Sequence, residues 1–186
     1  MDYKEYREKI LEQNDEINTL ISSFWNNYSG FGTWQFWVVL SLFIAPLILL
    51  CFTVDRRRIF EIFFFGYTVH ILWAYINIIL DRYNFMIHPY SLTSILPYAI
   101  NITSSMLPVG FLLIYQYCTN NGKNFYVYTL ILSFIYSFVF ASIEHQIGLL
   151  ELKRGFNQFY IFLIDIGIVY IAYWATKFIK RINNSF

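Results

Sequence analysis

Apolar residues fall into five long runs along the chain, separated by short polar breaks. A helix needs about 20 mostly apolar residues to cross the hydrocarbon core of a bilayer. The pattern predicts such helices over Trp34 to Thr53, Ile59 to Leu80, Ile95 to Tyr117, Phe125 to Ile147 and Phe159 to Ile179. Asp55-Arg56-Arg57-Arg58 forms the first break, a stretch around His88-Pro89 the second and Asn120-Asn121-Gly122-Lys123 a tight third turn. The fourth runs from Gly148 to Gln158 and carries Glu151, Lys153 and Arg154.

The first 28 residues follow another rhythm. Tyr3, Tyr6, Ile10, Gln13, Ile17, Leu20 and Phe24 recur at alternating steps of three and four, with charged residues on the other faces. That spacing predicts an amphipathic helix, able to lie on a membrane, pack on the protein or pair with another helix. Residues 1–20 are charged and lack the apolar core of a secretory signal. The expected organisation is an all-α polytopic transmembrane bundle of about five helices over residues 34–181, preceded by an amphipathic segment over 1–28.

Composition agrees. Of 186 residues, 58% are hydrophobic and 13% charged, against about 25% charged in a soluble domain. The 20 Phe and 16 Tyr match a codon-biased, AT-rich coding sequence and the aromatic belts of membrane interfaces. A net charge of +1 without a basic stripe points away from nucleic acid. Cys51 and Cys118, both expected near the same membrane face, form no metal-type spacing, and no disulfide is expected.

Lys and Arg in short loops set orientation. Arg56, Arg57, Arg58, Lys123, Lys180 and Arg181 fall on one side, with Lys177 at the end of the last helix; Arg82, Lys153 and Arg154 fall on the other. This predicts a multi-pass protein of the cell membrane with the N-terminus outside and the C-terminus in the cytoplasm.

Ionisable groups within a span cost several kcal/mol each unless they face the bundle and find partners. Glu61 begins the second span, one turn after Arg57 and Arg58, and reads as a rim ion pair. His70 sits near mid-span on a face shared with Gly66, Trp73, Asn77 and Asp81. It reads either as a core histidine bonded to a backbone carbonyl or as a proton- or ligand-handling group. On the fourth span Ser133, Ser137 and Ala141 form a small-residue face suited to close helix packing, continuing towards Glu144 and His145. Asp165 shares its face with Val169, Ala172 and Thr176, and pairing with His145 would offset its burial. In the third span Pro97 and Pro108 bracket Asn101, Thr103, Ser104 and Ser105, which can satisfy the backbone groups that proline frees.

By depth, Glu144, His145, Asp81, Asn77, Asn101 and Asp165 gather in the outer half, and His70 ends the series near the centre. An ion conduit needs polar lining on both halves; this one-sided series fits a pocket open to the outside or a proton relay ending at His70, and equally a structural network. The candidate proton- or ligand-binding residues are therefore His70, Asn77, Asn101, Glu144, His145 and Asp165. His70, Glu144, His145 and Asp165 also carry metal-ligating atoms, but without a metal-site spacing, so whether a metal binds stays open. No nucleophile–base set, phosphate loop or dinucleotide glycine pattern occurs, so no catalytic residue and no cofactor is assigned, and the reading leans away from an enzyme.

The stretch from Phe60 to Trp174 resembles small uncharacterised multi-pass membrane proteins of low-GC Gram-positive, spore-forming bacteria. The likeness rests on the aromatic-rich polar face from His70 to Asn77, the prolines from Pro97 to Pro108 and the acidic Glu144. It implies a bacterial inner-membrane location and no particular activity. Three functions follow as expectations: a sensor or accessory subunit with the outward pocket, a small oligomeric transporter or channel coupled to protons or cations, or an assembly protein acting through its N-terminal helix. The expected partners are the lipid bilayer and either a second copy or another membrane protein.

Overall fold

The computed structural model describes residues 1–95 and 98–183, and these form an all-α bundle. Helix α1 spans Tyr3–Phe24, α2 Trp34–Thr53 and α3 Ile59–Arg82. Helix α4 spans Leu107–Asn121, α5 Phe125–Gln146 and α6 Gln158–Asn183. Wide π-type turns occupy Trp25–Ser29, Ile102–Met106 and, inside α5, Ile135–Phe140.

Among the described residues α2, the segment Arg56–Arg82, α5 and α6 are long and apolar enough to cross a membrane. The chain is thus an integral membrane protein, with four such helices where the hydrophobic runs suggested about five. The remaining run is helical as well, from Ile100 through the wide turn Ile102–Met106 into α4, and it ends at Asn121 instead of Tyr117. Leu107, Phe111, Leu112, Tyr115 and Cys118 of α4 are all buried. Neighbouring helices cover this element, so it needs less apolar surface than a helix facing lipid. Pro108 is tolerated in its first turn, where the missing N–H costs nothing. Gly122 closes α4 in a left-handed conformation at φ 60°, so Asn120 and Asn121 stay helical and the turn begins later than expected. Pro97 lies outside the described residues.

Helix α3 packs most extensively on α4 and α6, while α2 covers the wide turn before α4. Between α3, α4, α5 and α6, one half of the bundle is filled by rings. Phe65 stacks on Tyr115 at 4.5 Å and Phe125 on Tyr173 at 4.2 Å. Phe65 meets Phe125 edge-on at 5.8 Å. This plug sits towards the end bearing Arg56–Arg58, Lys123 and Lys180, called here the basic end.

At the opposite end, the two loops expected to be irregular pair with each other. Strands β1 (Met86–Ile87) and β2 (Glu151–Leu152) run antiparallel, with Met86 opposite Leu152 and Ile87 opposite Glu151. The chain after α1 is pinned at the loop that follows β1: Trp25 Nε1 donates to the Ser91 carbonyl at 3.0 Å, and the Ser91 N–H donates to Ser29 Oγ at 3.0 Å. Helix α1 itself buries no residue. Its start is fixed locally by a capping box between Asp2 and Glu5.

Candidate polar cavity beneath the paired strands

The face of α3 that begins at Gly66 turns inward, leaving Trp73 and Asn77 buried. On α5, Ser133, Ser137 and Ala141 are buried as well; their small side chains leave room for the neighbouring helix. On α6, Asp165, Val169, Ala172 and Thr176 form a fully enclosed stripe. These three faces meet at Asp165. Its Oδ1 accepts the Trp73 indole N–H at 3.0 Å and its Oδ2 accepts the Ser137 hydroxyl at 3.3 Å. One carboxylate thereby ties three helices together.

The expected Asp165–His145 pair does not form. His145 is exposed, and its Nδ1 donates to the Leu150 carbonyl at 2.9 Å across the end of α5. Glu144, one residue earlier and about 100° around the helix, points inward and is 4% exposed. The two adjacent residues therefore do different work. Glu144 has no hydrogen-bond or ion-pair partner for its carboxyl among the described residues.

Glu144 and Asp165 line one cavity with Asn77, Thr103, Tyr136 and His88. Its room for water-sized molecules is about 40 Å³, enough for a few waters, since one needs roughly 10–15 Å³ by that measure. Two of the three π-type turns reach it: Ile102 and Thr103 from one, Tyr136 and Phe140 from the other. Such turns widen a helix locally and recur at functional sites. Met86, His88 and Leu150 close the side beneath the strands. The pocket expected to open outward is thus roofed by the paired loops. No Lys or Arg lines it.

Besides the Glu144 carboxyl, Asn77 Oδ1 and His88 Nδ1 in the cavity wall are buried without a hydrogen bond. Unsatisfied buried groups are rare and costly, and each calls for an explanation. His88 stands outside the helices, and burial pushes its imidazole down to about 4, so the ring is neutral at pH values well above that. Helical periodicity does not single out His88, because it lies in the loop after β1. The apolar character of its own loop, Met86-Ile87-His88-Pro89-Tyr90, was the available signal.

Other candidates lie elsewhere. The Nδ1 of His70 donates to the Thr103 carbonyl at 2.9 Å, riveting α3 to the wide turn before α4. His70 lines a separate crevice with Leu47 of α2 and Pro108 of α4, on another side of α3 from the Glu144 cavity. It is not the base of that cavity. Asn101 is buried but does not line it. Among the described residues no group of three or more His, Cys, Asp and Glu is placed to hold a metal ion.

Glu61 is more than a rim pair. It binds Arg58 Nη2 at 2.6 Å as expected, and also Lys180 Nζ of α6 at 2.9 Å and the hydroxyl of Tyr115 of α4. Arg57 is exposed and takes no part.

No family model matches the chain, and neither does any curated protein or solved structure.

Proposed function

We propose that this membrane protein is a proton- or small-cation-responsive sensor or accessory subunit, acting through the cavity that holds Glu144 and Asp165. The observation that carries this reading is the presence of two buried carboxyl groups in the wall of one cavity that, among the described residues, no Lys or Arg lines. A carboxylate in such surroundings needs its charge offset. A proton taken up, or a cation bound, does so, and the unpartnered atoms of Asn77 and His88 can receive the incoming group or its water. The wide turns beside the cavity and the strand roof above it are elements whose packing can change with occupancy.

The aromatic plug at the basic end favours a sensor over a conduit, because stacked rings from α3, α4, α5 and α6 fill the second half of the bundle. The Lys and Arg asymmetry of the loops supports placing the strand end outside and the basic end in the cytoplasm of a bacterial cell membrane.

Thermal unfolding of the full chain across pH, with sodium, potassium, ammonium and magnesium in turn, tests the proposal. The profile of the wild type is expected to change shape in Glu144→Gln and in Asp165→Asn, or one cation is expected to stabilise the wild type alone. His88 adds its own slope. Its depressed value makes stability fully present above pH 6.5 and lost as pH falls towards about 4, so the comparison is made in a His88→Gln background. Identical profiles in all variants, with no cation effect, would exclude the cavity as the responsive element.

A second reading rests on α1, which buries nothing while presenting Tyr3, Tyr6, Ile10, Ile17 and Leu20 to solvent. An isolated helix of this length is marginal in water, so a partner helix covering the stripe fits an assembly role. Ile10→Asp with Ile17→Asp is then expected to abolish oligomers seen by cross-linking in membranes. Unchanged cross-linking would sink it.

A further inference from the structure

At the basic end, the start of α3 and the end of α6 leave an open groove of about 730 Å³. Arg57, Arg58 and Lys180 line it, with Glu61 as the one carboxylate, so three positive charges against one negative leave +2. Arg58 and Lys180 are both held by Glu61 and so keep fixed positions. Arg57 is exposed and has no side-chain partner among the described residues. Its charge is uncompensated. Beside these cations the wall turns apolar, with Phe60 90% exposed and Phe64 38% exposed.

We propose that this groove seats an anionic phospholipid, with its phosphate between Arg57 and Lys180 and its acyl chains against Phe60 and Phe64. The chemistry of the two parts matches the two parts of such a lipid. The excess positive charge sits where a helix end reaches the headgroup layer, and the exposed rings sit one turn deeper, where hydrocarbon begins. A zwitterionic lipid offers the same chains but no net charge to the groove. The anchoring of two of the three cations by Glu61 distinguishes a built site from the loose attraction of surface lysines, since their positions cost little further ordering on binding. The site stands apart from the Glu144 cavity, at the opposite end of α3 and α6.

Native mass spectrometry of the detergent-purified full chain, incubated with phosphatidylglycerol or phosphatidylcholine, reads this directly. The wild type is expected to retain one phosphatidylglycerol in preference to phosphatidylcholine. Arg57→Gln is expected to lower that retention about fivefold, the effect of one basic residue near an anionic surface. Lys123→Gln removes a cation from the same end but outside the groove, and is expected to leave retention unchanged. Arg57 makes no contact that folding needs, and an unaltered unfolding temperature of Arg57→Gln verifies that. Equal retention of the two lipids would overturn the proposal. So would an equal loss in Arg57→Gln and Lys123→Gln, which would make the attraction diffuse.

Discussion

Asp165→Ala is expected to destabilise the bundle by about 3 kcal/mol. The change removes two interhelical hydrogen bonds worth about 1 kcal/mol each in a bilayer and leaves a hole in a close-packed interior. The Trp73 N–H and the Ser137 hydroxyl both lose their acceptor. Asp165→Asn keeps an acceptor oxygen and the side-chain volume, so it is expected to cost much less. A double-mutant cycle of Asp165→Ala with Trp73→Phe separates the bond from the hole. The geometry predicts a coupling of about 1 kcal/mol between the two sites. Strict additivity would mean that the indole and the carboxylate do not interact. The practical consequence is that Asp165→Asn, not Asp165→Ala, is the variant with which to examine function.

Glu61→Ala is expected to cost about 2 kcal/mol, which lowers the unfolding temperature by about 4–8 °C for a chain of this size. Glu61 is the single acceptor shared by Arg58, Lys180 and Tyr115, and its loss leaves two cations side by side with nothing between them. It also removes the Tyr115 link from α3 to α4 and the Lys180 link to the end of α6, leaving Arg58 bonded to Thr119 and Asn120 of α4. Arg57→Ala, next to the same cluster but unpaired in it, is expected to leave the unfolding temperature unchanged. Equal effects of the two substitutions would show that general charge density at this end matters, not the Glu61 hub.

The helices were legible in the sequence wherever lipid and loop chemistry alternate sharply. The break at Asp55–Arg58 and the turn before Phe125 place the ends of α2, α3 and α5 within a residue or two, because charges and caps such as Asn124 cannot move into hydrocarbon. The helical stretch that ends in α4 is bounded less sharply for the converse reason. Its surroundings are protein, so its residues carry a weaker hydropathy signal, and it contains the wide turn at Ile102–Met106. Hydropathy carries no trace of such a turn.

The candidate site was partly legible. Facing directions along a helix place Trp73, Asn77, Ser137 and Asp165 on buried faces, and they meet as helical geometry requires. Partners across helices were not legible. His145 and Asp165 suit each other chemically and lie at similar depth, yet the end of α5 turns His145 to the surface, where its Nδ1–H donates to the Leu150 carbonyl. His88 and the pairing of β1 with β2 depend on contacts between segments more than 60 residues apart in sequence, which no local pattern reports. Lys180 reaching Glu61 is another such contact.

The central claim is that Glu144 and Asp165 exchange a proton or cation inside the cavity. Infrared difference spectroscopy of the reconstituted protein between acid and neutral pH tests it most directly, because a protonated carboxylic acid has a carbonyl stretch that a carboxylate lacks. The account predicts carboxylic-acid bands that titrate in the wild type, with one part missing in Glu144→Gln and another in Asp165→Asn. Difference spectra that are the same in all three proteins would contradict it.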